Sequence, residues 1–140
     1  MTANEFLNRP YELQRKISIK EQKIKYYREL SSSVSSPGFE EHYSATRNTD
    51  APFVRYLQKI DVLEEEIKND KIRLAEIKDE VDHAIEAIED LNEAMVLRYR
   101  YVMLWSMRKI AKEMYYSLRW VQMIHVKAIT HFEILQPTSP

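Results

Sequence analysis

Residues 106–129 read SMRKIAKEMYYSLRWVQMIHVKAI, a stretch with two short helical patterns separated by two tyrosines. Ser106 and Ser117 each precede one of the patterns, and serine is a favoured N-cap residue. The stretch therefore predicts a helix from about Ser106 to Met114 and a second helix from Ser117 to about Ile134. Two helices joined by so short a turn cross steeply, which is the geometry of a helix-turn-helix.

The apolar positions of this stretch fit the same geometry. A small residue, Ala111, stands where the two helices are expected to touch, because a larger side chain would push them apart. Val121 follows ten residues later and would close the core from the other side. An ordinary helical hairpin is the alternative. The predicted helix-turn-helix core consists of Ile110, Ala111, Met114, Val121 and Ile124.

The outward face of the second helix is predicted to enter the major groove of double-stranded DNA. Arg119 could bond guanine and Gln122 adenine, each through two hydrogen bonds. The expected base-reading residues are Leu118, Arg119, Gln122 and Met123. The apolar members of this set could contact a thymine methyl group or instead mark a protein interface. Trp120 is expected to be a packing residue rather than one that stacks on bases.

Phosphate contacts are expected from basic side chains and from the N-terminus of the second helix. The candidates are Arg108, Lys109, Lys112, Ser117 and Lys127. For any single member, the alternative is an ordinary solvated surface residue. The charge distribution favours the group, since residues 91–140 carry seven basic and three acidic side chains.

Before this region, residues 53–98 carry a heptad pattern. With Phe53 at position a, twelve of the fourteen a and d positions are apolar. A seam of period 3.5 requires another helix to pack against. The partner is either the N-terminal helix folded back antiparallel, a second copy of the chain, or both. Asp70, at a d position, either sets the register or is a tolerated exposed carboxylate.

The N-terminal helix is predicted from Tyr11 to about Ser32, with Pro10 in its first turn. A serine-rich segment with a Pro-Gly pair follows and predicts a mobile loop at about 31–52. The predicted fold is thus all-α: the N-terminal helix and the long heptad-bearing helix form an antiparallel coiled-coil hairpin, followed by a C-terminal helix-turn-helix. The expected domains are a coiled-coil region at 1–90, a DNA-binding domain at 91–135 and a tail at 136–140.

Composition excludes several other classes of protein. The 140 residues include no cysteine, which excludes disulfides and a thiol nucleophile, and one glycine, too few for a glycine-rich phosphate loop. The net charge is −1, but residues 51–90 carry twelve acidic and six basic side chains. This asymmetry predicts a solvated middle and a C-terminal third that meets a polyanion. No apolar run reaches the length of a membrane span, so no membrane partner is expected.

An enzyme is not expected either. The four histidines, His42, His83, His125 and His131, are scattered, and the last two are not spaced as metal ligands on one helical face. The Glu64–Glu66 cluster fits a solvated coiled-coil face, and no nucleophile is paired with a base. We therefore predict a non-enzyme without metal or cofactor.

The sequences IAKEM at 110–114, YSLRWV at 116–121 and IHVKAI at 124–129 resemble sigma factor region four. The chain resembles more closely a family of small phage and prophage proteins of Gram-positive bacteria, related to the ArpU and RinA late-gene regulators. The stretch from Tyr116 to His125 is the most specific part, and the N-terminal PYEL at 10–13 extends the likeness over most of the chain. In two departures, Tyr115 stands where that family usually has glycine, and Met107 stands where it tends to have tryptophan.

The resemblance implies a cytoplasmic protein of a bacterial host that regulates phage or prophage transcription by binding promoter DNA. It places the recognition-helix positions at Leu118, Arg119, Gln122 and Met123. The expected partners are double-stranded DNA, a second copy bound through the coiled coil, and bacterial RNA polymerase as a further candidate. Two alternatives stay open: a small terminase subunit that recognises packaging DNA, and an interaction module for RNA polymerase or sigma that does not bind DNA.

Overall fold

The computed structural model of the protein describes residues 1–34 and 52–136. These residues form α-helices and contain no strand, so the predicted all-α class is confirmed. The predicted loop at about 31–52 lies mostly outside the described residues, as does most of the tail. The helices are α1 (Ala3–Val34), α2 (Pro52–Ile85), α3 (Leu91–Tyr101), α4 (Met107–Met114) and α5 (Leu118–Leu135).

The described residues divide into two compact units. One unit combines Met1–Gln14 with the chain from Arg73 onward, and the other lies within Arg15–Ile72. This division does not follow the boundary predicted at residue 90. The reason is that the first fourteen residues and the last turns of α2 bury their apolar side chains among the C-terminal helices.

The start of α1 differs from the prediction, because the helix begins at Ala3 and Pro10 lies inside it. The Thr2 hydroxyl accepts a hydrogen bond from the Glu5 N–H at 3.1 Å, as an N-cap residue does. Proline has no N–H to offer the Phe6 carbonyl one turn earlier. The side chain of Arg9 compensates, since its Nε donates to that carbonyl at 3.3 Å. Pro10 itself is fully buried.

Within the Arg15–Ile72 unit, contacts between α1 and α2 follow an antiparallel order. Lys20 pairs with Asp70 at 2.6 Å, and Arg28 pairs with Glu64 at 3.5 Å. Asp70, the polar d position, is therefore held by Lys20 of the same chain. The apolar seam is also buried within one chain, at Ile17, Ile24, Ile60 and Ile67.

The heptad pattern predicts one continuous helix as far as Arg98, but the structure divides this stretch between two helices. Helix α2 ends at Ile85, and Asp90 starts α3 as its N-cap, with its side chain accepting from the Glu93 N–H at 3.0 Å. Leu91, a predicted d position, is consequently 73% exposed. Asp90 is a helix-capping residue, and this local signal competes with the heptad pattern. A new helix that starts after Asp90 interrupts the heptad period of α2.

The unit that contains the C-terminal helices has two apolar cores. The larger joins α1, α2, α3 and α5, and it includes Ala3, Leu7, Ile77, Val81, Ile85, Ile88, Ala94, Leu97, Tyr101, Ala128 and Phe132. Phe6 of α1 also stacks on Phe132 of α5, with ring centroids 5.9 Å apart. The smaller core lies between α3, α4 and α5, and it positions the surface described next. None of the helices in the described ranges is long and apolar enough to cross a membrane.

Candidate nucleic-acid interface

Serine caps begin both helices of the candidate interface. The Ser106 hydroxyl accepts from the Lys109 N–H at 3.1 Å, and the Ser117 hydroxyl accepts from the Trp120 N–H at 3.1 Å. Both predicted N-caps are therefore confirmed. Two residues before each serine, the backbone is left-handed without a glycine, at Leu104 with φ 59° and at Tyr115 with φ 60°. The same three-residue arrangement therefore stands before and after α4, at 104–106 and at 115–117. In each case a residue with left-handed backbone is followed by an aromatic residue and a capping serine.

The turn between α4 and α5 is closed by two backbone hydrogen bonds. The Tyr115 N–H donates to the Lys112 carbonyl at 3.3 Å, and the Tyr116 N–H donates to the Ala111 carbonyl at 3.0 Å. This pair of bonds is a Schellman motif, which requires a left-handed residue at the Tyr115 position. Without a glycine there, the conformation costs roughly 1–2 kcal/mol.

The inner faces of α4 and α5 pack together with α3. The buried members of this core are Val96, Ile110, Ala111, Val121 and Ile124, and Met114 packs against them partly buried. Ala111 is 6% exposed. All five residues proposed for the helix-turn-helix core therefore lie in one cluster.

The outward face of α5 carries the residues expected to read bases. Arg119, Gln122 and Met123 are exposed, whereas Leu118 is half-buried. Trp120, expected to pack, is 44% exposed, so its ring is available to a partner. Val126 extends the apolar part of this face and is 65% exposed.

Helices α4 and α5 carry the expected phosphate-binding cations as well as Arg119, a candidate base-reading residue. Arg108, Lys112, Arg119 and Lys127 are exposed, and within the described residues none of them forms an ion pair. The one carboxylate between Ser106 and Lys127 is Glu113. This stretch therefore carries more basic than acidic side chains, and the carboxylates of other elements that line a groove with Lys127 are Asp90 and Glu93. Ser117 is exposed at the start of α5, with its hydroxyl engaged in the cap.

Lys109 differs from the other cations because it rests on an aromatic stack. Its Nζ lies 4.3 Å from the centre of the Trp105 ring, and that ring stacks on Tyr99 at 4.5 Å. A cation over an indole face is attracted by the ring quadrupole. The stack therefore fixes the position of the Lys109 ammonium at the start of α4.

Behind the exposed surface lies a polar network that sequence reasoning did not find. The Tyr11 hydroxyl donates to the Arg100 carbonyl at 2.5 Å, and Arg100 Nη1 donates to the Trp105 carbonyl at 3.0 Å. The Tyr101 hydroxyl oxygen lies 2.6 Å from Nε2 of His125. Together these contacts tie α1, the end of α3, the loop before α4 and the inner side of α5. The residues are far apart in sequence, so no local pattern could reveal them.

Burial shifts the ionisation of this network. It raises the pKa of Tyr101 to about 12, and it also raises the pKa of Tyr11. It lowers the pKa of His125, with a further lowering from the positive charge of Arg100. All three side chains are therefore held neutral near pH 7, as expected for groups that position helices rather than carry charge.

The remaining titratable pair near α5 is also structural. Glu93, buried in α3, has Oε1 at 2.6 Å from Nδ1 of His131. In the described ranges, no group of three or more carboxylates and histidines is placed to hold a metal ion.

No protein-family model, curated protein or solved structure matches the chain. The candidate interface is therefore defined by the residues of this chain and their geometry.

Proposed function

We propose that this chain binds double-stranded DNA through a helix-turn-helix formed by α4 and α5, and that it is a transcriptional regulator of the phage or prophage kind. The phage context comes from the resemblance noted in the sequence. The observation that supports DNA binding is the set of exposed Lys and Arg side chains on α4 and α5 that form no ion pair within the described residues. In this proposal the chain is a binding protein rather than an enzyme.

Helices α4 and α5 together carry five Lys and Arg side chains and two Glu side chains. Some cations elsewhere, such as Lys16 and Lys25 of α1, form no ion pair in the described residues. Others are neutralised by carboxylates, for example Arg9 by Glu80 at 2.9 Å and Arg98 by Asp82 at 2.5 Å. The cations of α4 and α5 have no such partners in the part of the chain that the structure describes. Unpaired cations on one surface can replace the counterions of DNA phosphates, and release of those counterions favours binding.

The reading function is assigned to α5 because its first turns combine exposure with suitable chemistry. Arg119 and Gln122 are both exposed and lie within two turns of the Ser117 cap. Arginine recognises guanine, and glutamine recognises adenine, through paired hydrogen bonds in the major groove. In a helix-turn-helix, these N-terminal turns meet the base edges.

The two long helices, α1 and α2, are proposed to form a coiled-coil hairpin that does not contact DNA. Their antiparallel ion pairs and buried seam support a coiled-coil hairpin formed within one chain. Residues 51–90 carry twelve acidic and six basic side chains, so DNA would repel most of α2. A homodimer would need a surface other than the seam, because the seam is already buried.

A second candidate function is favoured by the apolar part of α5. Trp120, Met123 and Lys127 line a groove that also includes Asp90, Asn92 and Glu93, and Val126 is exposed on the same helix. Tryptophan and methionine are enriched in protein interfaces. In this reading α5 binds a protein such as RNA polymerase or sigma and not DNA.

The deciding experiment measures binding of a fluorescent random-sequence duplex by anisotropy at several salt concentrations. We expect binding at low salt and release at high salt, with log K falling by about 3–4 per decade of salt if four phosphates are contacted. Light scattering on the same samples gives the mass of the complex. Eight or more subunits would favour the terminase alternative.

A charge-matched pair of variants locates the interface. Replacing Arg108, Lys112, Arg119 and Lys127 by alanine should abolish duplex binding. Replacing four exposed cations of α1 by alanine, Arg15, Lys16, Lys23 and Lys25, removes the same charge and should leave most of the affinity. Equal losses in the two variants, or no binding by the wild type, would contradict the proposal, and the latter would favour the protein-binding function.

A further inference from the structure

Two consecutive tyrosines at the turn between α4 and α5 have different surroundings. The Tyr116 hydroxyl accepts a hydrogen bond from Asn92 Nδ2 at 3.3 Å, and its side chain is 37% exposed. Tyr115 is 92% exposed. Among the described residues it makes no side-chain hydrogen bond or ring contact.

Tyr115 also occupies the left-handed backbone position that the Schellman motif requires, with φ 60° and ψ 37°. Glycine would fill this position without strain, and asparagine with little. Packing of the tyrosine side chain does not offset the backbone strain, because the side chain is almost fully exposed. An unfavourable residue without an internal contact indicates a contact outside the chain.

We propose that Tyr115 is a DNA-contact residue whose hydroxyl donates a hydrogen bond to a backbone phosphate. This assignment rests on the proposed function and extends it to a residue outside the basic set. Lys112, three residues before, and Ser117, two residues after, are both candidates for phosphate contacts and are both exposed. Tyrosine is one of the side chains that commonly donate to phosphate oxygens, and such bonds fix the orientation of the protein on the duplex.

Strain at Tyr115 lowers the stability of the fold, whereas the proposed contact favours DNA binding. Replacing Tyr115 by glycine removes the strain and the contact together. We expect Tyr115→Gly to unfold at the same or a higher urea concentration than the wild type. We expect it to bind the duplex about ten- to a hundredfold more weakly, the change typical of a lost hydrogen bond to a charged oxygen.

Two further variants identify the kind of contact. Tyr115→Phe keeps the ring and the backbone preference but lacks the hydroxyl, and it should lose the same affinity as the glycine variant. Neither change removes a charge, so the salt dependence should stay that of the wild type. Lys112→Ala is the matched control, because loss of one charged contact should reduce the salt slope by about 0.9.

Several results would overturn the assignment. Wild-type affinity in Tyr115→Gly would leave the proposed function intact and show that Tyr115 makes no contact. Wild-type affinity in Tyr115→Phe alone would exclude the hydroxyl as donor. Early unfolding of Tyr115→Gly would show a structural role instead. A wild-type chain that binds no duplex would overturn the proposed function, and this inference with it.

Discussion

The hydroxyl oxygen of Tyr101 in α3 lies 2.6 Å from Nε2 of His125 in α5. Tyr101 is buried and His125 is half-buried, so the pair joins the inner side of the proposed reading helix to the helix behind it. Because burial and the charge of Arg100 both lower the pKa of His125, protonation of the imidazole is disfavoured in the folded chain. The stability of the fold should therefore depend on pH.

The direction of this pH dependence follows from the pKa of His125 in the folded and unfolded states. Its folded pKa is below the ordinary value of about 6.5, so the unfolded chain binds the proton first as pH falls. The free energy of unfolding should decrease from pH 7.5 to pH 5.5, by at most about 1.4 kcal/mol per pH unit and by less because the ring is partly exposed. Urea unfolding of the wild type and of His125→Gln at both pH values measures this. An identical pH dependence in the two proteins would contradict it.

The Lys20–Asp70 pair predicts a non-additive mutant cycle. Lys20→Met should destabilise the chain by about 1 kcal/mol, because Asp70 would keep a partly buried charge without its partner. The double variant with Asp70→Leu should recover the loss or exceed wild-type stability, since an apolar pair would continue the seam. Urea midpoints of the two single variants and the double variant give the coupling energy. Additive effects would show that the pair is not coupled.

The burial of the seam within one chain predicts that thermal stability is independent of protein concentration. Ile17, Ile24, Ile60 and Ile67 are buried without a second copy. A chain that needs a partner to bury its seam gains stability with concentration by mass action. Thermal unfolding followed by circular dichroism over a hundredfold concentration range should give one constant Tm. A Tm that rises with concentration would show that a second copy completes the core.

The close contact at Ala111 predicts intolerance to larger side chains. Ala111 is 6% exposed and lies in one cluster with Val121. Ala111→Leu should cost about 1–3 kcal/mol through overpacking. Met114→Leu, a nearly isosteric change in the same cluster, is the control and should cost less than about 1.5 kcal/mol. Urea unfolding ranks the two variants, and equal losses would mean that Ala111 is not at a close contact.

Arg119 and Lys112 should affect DNA binding in different ways. If Arg119 reads a base, Arg119→Ala should lose about 1–3 kcal/mol of discrimination between a selected sequence and random DNA. Lys112→Ala should weaken both by a similar factor, since phosphates are present in every sequence. Competition binding with the two duplexes measures the ratio. The same ratio in both variants would remove the distinction between the two roles.

Local signals in the sequence predicted much of the C-terminal region. The serines at 106 and 117 predicted both caps, because capping depends on a side chain and a backbone N–H three residues apart. The start of α1 has a comparable signal, Thr2 followed by Glu5, which competes with Pro10 as a signal for the first helical turn. What the sequence could not show is that Arg9 satisfies the carbonyl that Pro10 leaves free.

Long-range contacts explain the other differences. The heptad pattern extends through Ile88 and Met95 because both residues are apolar. Periodicity alone does not show that they lie beyond the end of α2, or which helix they pack against. Similarly, the amphipathic pattern predicts Trp120 as a packing residue, and only the assembled core shows that 44% of its surface stays exposed. Which helices pack against each other depends on tertiary structure, and the hydrophobic pattern of one segment does not determine it.

Leu7 and Phe132 lie in the same apolar core although about 125 residues separate them. During translation, the first turns of α1 leave the ribosome long before the last turns of α5 are made. At ordinary rates of protein synthesis the delay is on the order of ten seconds. Ala3 and Leu7 therefore lack their α5 partners in the nascent chain for that time, although their partners on α2 are made earlier. A chaperone that recognises short apolar segments would encounter these turns of α1 before α5 can cover them.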